Sequence, residues 1–313
     1  MWSYVIRRVL ATVPVLCVVA IIVFLMLRLS PGDPAAIIAG DNATGDDIAM
    51  IRAQLGLDRP LLQQFVLWLG QLLSGDLGNS IYLARPVFGL IMERVEPTLA
   101  LSVTTMVFAM MIAIPTGVLA AWRAGSWVDQ TIMALSVVAF SVPVFLIGYG
   151  LVIGFSLSLE WLPVQGFVSL ADDPLGFAMH LVLPTIALGL VYSALLARIT
   201  RATMLETLSE DFIRTARAKG LAEPRVLLLH ALKNASVPIV TTIGTGLALL
   251  IGGVVVTESV FAIPGIGRLT IEAVLQRDYP VIQGVILVIA AVYVFVNLAI
   301  DLAYPLLDPR IRF

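Results

Sequence analysis

Six apolar stretches divide the chain: Val9–Leu27, Leu99–Ala121, Thr131–Leu159, Leu181–Ala197, Pro238–Thr257 and Val281–Ile300. A helix crossing a hydrocarbon core of about 30 Å takes about 20 residues, so each stretch predicts one span. The fourth is the shortest, and its amphipathic flanks can extend it. The first follows Arg7 and Arg8, as a secretory leader would. Its apolar run is longer than a leader's, however, and "RLSPGDP" follows instead of a small-residue cleavage site, so it reads as an uncleaved anchor. Pro115, Pro143 and Pro184 fall inside the stretches and predict kinks.

Two polar intervals carry helical punctuation of their own. In the loop 30–97, "DDIAMIRAQLG" places Ile48, Ile51 and Leu55 on one face and stops at Gly56. "DRPLLQQFVLWLGQLL" follows, with Asp58 as N-cap and Pro60 in the first turn. After the turn cluster "SGDLGNS", "RPVFGLIMERVEP" predicts a third short helix ending before Pro97. The pattern predicts a compact helical cap on the outer face; the lesser alternative is an amphipathic collar lying on the membrane with no partner.

The second interval is "EDFIRTARAKGLAEPRVLLLHALKNASVP", residues 210–238. Eight charges lie within Glu206–Arg225, and burying them at roughly 2.5 kcal/mol each would cost about 20 kcal/mol, so this segment lies outside the lipid. Thr207-x-x-Glu210 has capping-box spacing, and Ser209 ahead of Glu210 and Asp211 is an alternative start. Arg214, Arg217 and Lys219 suit the negative end of a helix, and Gly220 supplies a left-handed stop. Pro224 can open a second helix, with His230, Lys233 and Asn234 on one face and Leu227, Leu228, Ala231 and Ala235 on others. Two short helices hinged at Gly220 make a rigid projection; a solvated surface helix has the same spacing.

Composition excludes a soluble domain: 59% of the 313 residues are hydrophobic and 13% charged, with a mean hydropathy of +1.00. A net charge of −2 with no basic tail gives no sign of nucleic acid. Cys17 is alone in an apolar run, and His180 and His230 have no ligand spacing, so no disulfide, cysteine metal site or other metal site is predicted. With the N-terminus inside, twelve Lys/Arg face the cytoplasm and, once the long first loop is set aside, only Arg268 and Arg277 face out. Both termini are therefore expected in the cytoplasm.

The six stretches contain no Asp, Glu, Lys or Arg between their flanks. A carrier driven by protons or sodium places ionisable groups near the midplane, although backbone carbonyls can also bind an ion. No phosphate-binding loop occurs: "PGIGRL" at 264–269 lacks the third glycine and follows no strand, which leaves a turn at the outer surface. No Ser/His/Asp or paired-carboxylate arrangement supports an intramembrane enzyme. A pathway without an energy source, beside a projecting helix pair, predicts mechanical coupling to a separate protein. A self-contained secondary carrier or channel is the alternative.

The words "EDFIRTARAKGL…HALKNASVP" closely resemble the coupling loop of binding-protein-dependent ABC transporter permeases, and "RTARAKG" is similar to the dipeptide/oligopeptide/nickel class. "RRVL", "PGDP", "QLGLDRPL", "GDLGNS", "TESVFAIPGIGRL", "RDYPVIQG" and "DPRIR" extend the resemblance along nearly the whole chain. Arg214-Thr215-Ala216 stands where the general pattern has Glu-Ala-Ala, a departure that suits the peptide class.

The resemblance implies an all-α polytopic fold of the type I ABC importer permeases with six transmembrane helices. It divides the chain into a first helix (1–29), an extracytoplasmic helical cap (30–97), a permease core (95–302, coupling loop 198–237) and a cytoplasmic tail (303–313). It implies a prokaryotic inner-membrane subunit paired with a second homologous permease, two ATPase subunits holding ATP and magnesium, and an extracytoplasmic solute-binding protein that delivers a peptide-like substrate. No cofactor and no catalytic residue is implied in this chain, and its only other partner is membrane lipid. Glu210, Asp211, Arg214, Thr215, Ala216, Arg217, Lys219 and Gly220 would contact the ATPase. Glu258, Phe261, Pro264, Gly265 and Gly267 are candidates for an outer gate or turn.

Overall fold

The structure is a computed structural model that describes residues 2–29, 35–36, 44–54 and 56–307. The motifs "PGDP" (31–34) and "DPRIR" (308–312) lie outside the described residues. Among the described residues the chain is helical, with an isolated bridge between Asn79 and Pro86 in place of strands. The helices are α1 (Trp2–Leu29), α2 (Gly45–Gln54), α3 (Leu61–Leu73), α4 (Val87–Trp122), α5 (Trp127–Ser141), α6 (Val144–Ser158), α7 (Pro174–Leu208), α8 (Asp211–Ala218), α9 (Glu223–Asn234), α10 (Ser236–Gly253), α11 (Val255–Val260), α12 (Ile266–Leu275) and α13 (Tyr279–Leu307).

Four of them, α1, α4, α7 and α13, are long and apolar enough to cross a membrane; α5 with α6 and α9 with α10 make two bent pairs, giving six spans if each pair is one. The 94° bend between α5 and α6 exceeds the expected kink. The cause is local: a residue before proline is pushed out of the helical region, and Val142 sits at φ −82°, ψ 125° ahead of Pro143. Pro115 and Pro184 stay inside α4 and α7.

α4 also runs through Pro97, so the third short helix of the outer loop is instead the first turns of a 36-residue helix. Proline deletes one backbone hydrogen bond at a cost of about 3 kcal/mol. Val87, Leu90 and Ile91 before it, and Thr98 and Leu101 after it, are all buried, and their packing outweighs that loss. α3 begins later than expected, at Leu61, with Pro60 at the cap and no side-chain cap from Asp58. Arg59 precedes a proline and cannot be helical, so Asp58 stays in the preceding turn. Gly56 closes α2 at φ +64°, as its position predicts.

The described chain divides into two compact units. One comprises residues 1–8, 96–268 and 292–313, the other residues 9–95 and 269–291. In the first, α7 packs on α5, α6 and α10, and its entry is fixed by Asp173, which accepts from the Leu175 amide at 3.0 Å ahead of Pro174. Arg8 pairs with Asp301 at 3.1 Å within the same unit. In the second, Phe24, Phe65 and Trp68 form an aromatic cluster with centroids 5.1–6.2 Å apart. α1 leaves Leu10, Val18 and Ile22 exposed, the arrangement of a helix whose solvent is lipid.

Candidate functional site

α8 has two faces. Ile213 and Ala216, three apart, are buried; Asp211, Phe212, Arg214, Thr215, Arg217 and Lys219 are exposed. The buried pair joins a core made by Ala113, Val118 and Ala121 of α4, Leu196, Ala197 and Met204 of α7, Val226, Leu227 and Ala231 of α9, and Ile239 of α10. Burying Ile213 alone contributes about 2 kcal/mol. The short helix thereby rests on the wide turn of α9 and shares one apolar core with the ends of α4, α7 and α10.

Its ends are defined by the backbone. The Leu221 amide donates to the Ala216 carbonyl at 3.3 Å and the Gly220 amide to the Arg217 carbonyl at 2.9 Å. This Schellman closure needs a left-handed residue, and Gly220 has φ +78°. Arg217 then pairs with Glu223 across the turn at 2.8 Å, and Arg214 with Asp211 at 3.1 Å. The expected capping box is absent. α7 continues to Leu208 because Met204 is fully buried, which consumes Thr207: its hydroxyl donates to the Thr203 carbonyl at 2.8 Å. Ser209 closes α7, and Glu210 occupies the α8 N-cap without a side-chain bond. Pro224 opens α9 as expected. A wide π-type turn over Val226–Ala231 brings both Val226 and Leu227 inward and leaves Leu228 and Leu229 exposed. Beside Glu210 and Phe212, a cavity of about 270 Å³ reaches Asn234 and Pro238.

The second constellation lies around Glu258, which is fully buried at the end of α11. Oε1 accepts from the Thr98 hydroxyl at 2.6 Å, and Oε2 from the Arg268 amide at 2.8 Å. The Thr98 oxygen in turn accepts from the Ile266 amide at 2.8 Å. A Cβ on Gly265 would overlap the Glu258 carboxylate, and one on Gly267 would lie 2.8 Å from the Val255 Cα and 3.0 Å from Glu258 Oε2. The glycines of "PGIG" thus let backbone wrap a buried carboxylate, as side chains would not. Glu258, Gly265 and Gly267 are brought together. Phe261 is buried in a separate apolar cluster that also holds Leu188 and Val260, and Pro264 is half-buried at the loop.

One ion pair was not legible in sequence. Arg201 on α7 grips Asp129 at the start of α5 with two bonds of 2.5 and 2.6 Å, and the Gly125 amide adds a third at 2.9 Å. The carboxylate and guanidinium are 72 residues apart. Only their shared position at the charged ends of two spans hinted at the contact.

Helix order, long spans and an anchored polar hairpin define a membrane protein with the type I ABC importer permease fold. A chain of the inward-facing MetNI methionine ABC transporter matches with a TM-score of 0.58 at 18% identity, covering 70% of this chain and 96% of that one. The family described as "Binding-protein-dependent transport system inner membrane component" matches residues 113–313, and its N-terminal counterpart matches residues 1–113. The "Probable peptide ABC transporter permease protein y4tP" of Sinorhizobium fredii is 50% identical over 313 residues, the whole of both chains. The "Glutathione transport system permease protein GsiC" of Escherichia coli is 43% identical, again over the full length of both. This chain belongs to the binding-protein-dependent transport system inner membrane components and is a permease subunit of an ABC importer.

Proposed function

We propose that this subunit moves peptides or similar small solutes across the cytoplasmic membrane by alternating access, driven through α8. It pairs with a second permease, stands on two ATPase subunits that hold the ATP and magnesium, and receives solute from an extracytoplasmic binding protein. Both termini lie in the cytoplasm. The carrying observation is that α8 buries Ile213 and Ala216 among the ends of α4, α7 and α10 while turning its charged face outward. The names of the peptide and glutathione permeases above support the substrate class.

The test is uptake and ATP hydrolysis in the complex reconstituted with all partners. Arg214→Glu and Gly220→Val should insert and pair normally yet lose uptake by about tenfold, equivalent to about 1.4 kcal/mol of coupling. The left-handed penalty for Gly220→Val is about 1–2 kcal/mol, enough to disturb the turn without unfolding the spans. Full uptake in both variants at normal expression refutes α8 as the coupling element. Uptake by the chain alone refutes the partner-driven reading and supports a self-contained carrier.

A further inference from the structure

Arg28 stands two residues past the apolar stretch Ile6–Met26 of α1, a rise of about 3 Å beyond the hydrocarbon segment. Its Nε donates to Gln64 Oε1 at 2.9 Å and its Nη1 to the Phe24 carbonyl at 3.1 Å, and its guanidinium lies 3.6 Å from the Phe24 ring centroid. Gln64 is buried, and its amide donates to the carbonyls of Leu57 and Arg59 at 3.3 and 2.8 Å, which fixes its oxygen toward Arg28. No carboxylate among the described residues pairs with Arg28. Burial pulls the guanidinium down to about 10, so it stays charged at neutral pH.

This half-buried cation borders a cavity of about 370 Å³ whose wall also carries Arg59, Trp68, Gln71 and Asp76. The acid is partly engaged, since Asp76 Oδ1 accepts from the Gly78 amide at 2.8 Å. Two arginines against one carboxylate leave the cavity set for an anion. α3 sits beside it with an inverted pattern: Gln64 is buried while Leu62, Val66, Leu67 and Leu73 are exposed. A helix that shows leucine outward and hides glutamine at the end of a span is arranged for the interface, with its apolar face toward acyl chains.

We propose that this cavity binds the phosphate of an anionic phospholipid headgroup, with Arg28 as its principal ligand and the exposed face of α3 against the acyl chains. The fork of a guanidinium matches phosphate oxygens in pairs, and one already oriented by Gln64 loses little freedom on binding. Free inorganic phosphate offers the same oxygens without chains, and only lipid uses the leucine face. The leaflet is the one at the C-terminal end of α1.

The experiment uses the full chain, stripped of lipid in detergent, titrated with phosphatidylglycerol or phosphatidylcholine and read by native mass spectrometry. One phosphatidylglycerol should be retained about tenfold better than phosphatidylcholine. Arg28→Gln should bring retention down to the phosphatidylcholine level, and millimolar inorganic phosphate should not displace the lipid. Equal retention of the two lipids, as an acidic protein occupant would give, overturns the proposal, and so does undiminished retention in Arg28→Gln. Displacement by phosphate alone assigns the cavity to a free anion and overturns the lipid source. Arg28→Gln also removes a bond to Gln64, so a second arm keeps the unaltered chain and adds phosphatidylglycerol with a photoreactive headgroup. Adducts mapped to 24–28 or 64–71 support the site; adducts confined elsewhere overturn it.

Discussion

The Glu258 carboxylate takes donors from a hydroxyl on α4 and from backbone beyond the "PGIG" turn, so one side chain ties together segments 160 residues apart. Glu258→Ala would strand the Thr98 hydroxyl and the Arg268 amide in a dry site, at about 3 kcal/mol or more, since bonds to a charged group carry about 1.5–3 kcal/mol each. Gly265→Ala should do comparable damage by pushing a methyl group into the carboxylate. Both variants should lower the unfolding midpoint in detergent by roughly 5 °C or more, and an unchanged midpoint in Glu258→Ala would show the latch to be dispensable. At this scale the structure brings together three of the five residues singled out in the sequence. Glu258, Gly265 and Gly267 stand out as a charged residue and a glycine pair at the end of an apolar run. That they serve one another, as carboxylate and wrapping backbone, depends on Thr98, which nothing in the local pattern connects to them.

Helices respond to their neighbours more than to their own signals. Asp58 and Thr207 carry capping chemistry and cap nothing: a proline delays the start of α3, and the buried Met204 draws α7 past its expected end. Gly220 behaves as its position predicts, because a left-handed residue is a backbone requirement that no packing replaces. The exposed apolar face of α3 fits the membrane surface, and on the function proposed above the region 58–73 would serve docking of the binding protein and not insertion. Replacing Asp58–Leu73 with a flexible linker should leave the chain in the membrane at normal yield. It should also reduce the stimulation of ATP hydrolysis by the binding protein in the assembled complex. Stimulation equal to that of the unaltered complex would remove the docking role.

For the whole molecule, orientation rests on twelve Lys/Arg on one side against two on the other outside the long loop. Ser209 closes α7 on the proposed cytoplasmic side. Ser169, which donates to Glu96 at 2.8 Å, lies in the loop before α7 on the proposed outer side. In a Cys17→Ser background, Ser169→Cys should react with an impermeant thiol reagent applied to cells with an opened outer envelope, and Ser209→Cys should not. The reverse labelling would invert the topology. The same experiment checks both termini, because an even number of crossings separates them if each bent pair is one span.

Hydropathy along the chain was enough, by itself, to determine that this chain lives in a bilayer, which stretches are apolar enough to cross it, and that the charges of 206–225 lie outside lipid, because each of these follows from transfer free energies summed over neighbouring residues. The glycine stop at Gly220 follows in the same way from local backbone geometry. Tertiary structure alone decided which polar groups meet. Asp129 finds Arg201, Thr98 finds Glu258, and Gln64 holds Arg28 at a cavity wall. It also decided that Pro97 is absorbed while Pro143 breaks its helix through 94°. A buried charge or an interrupted hydrogen bond is worth several kcal/mol either way, and its sign is set by partners that folding brings from elsewhere in the chain.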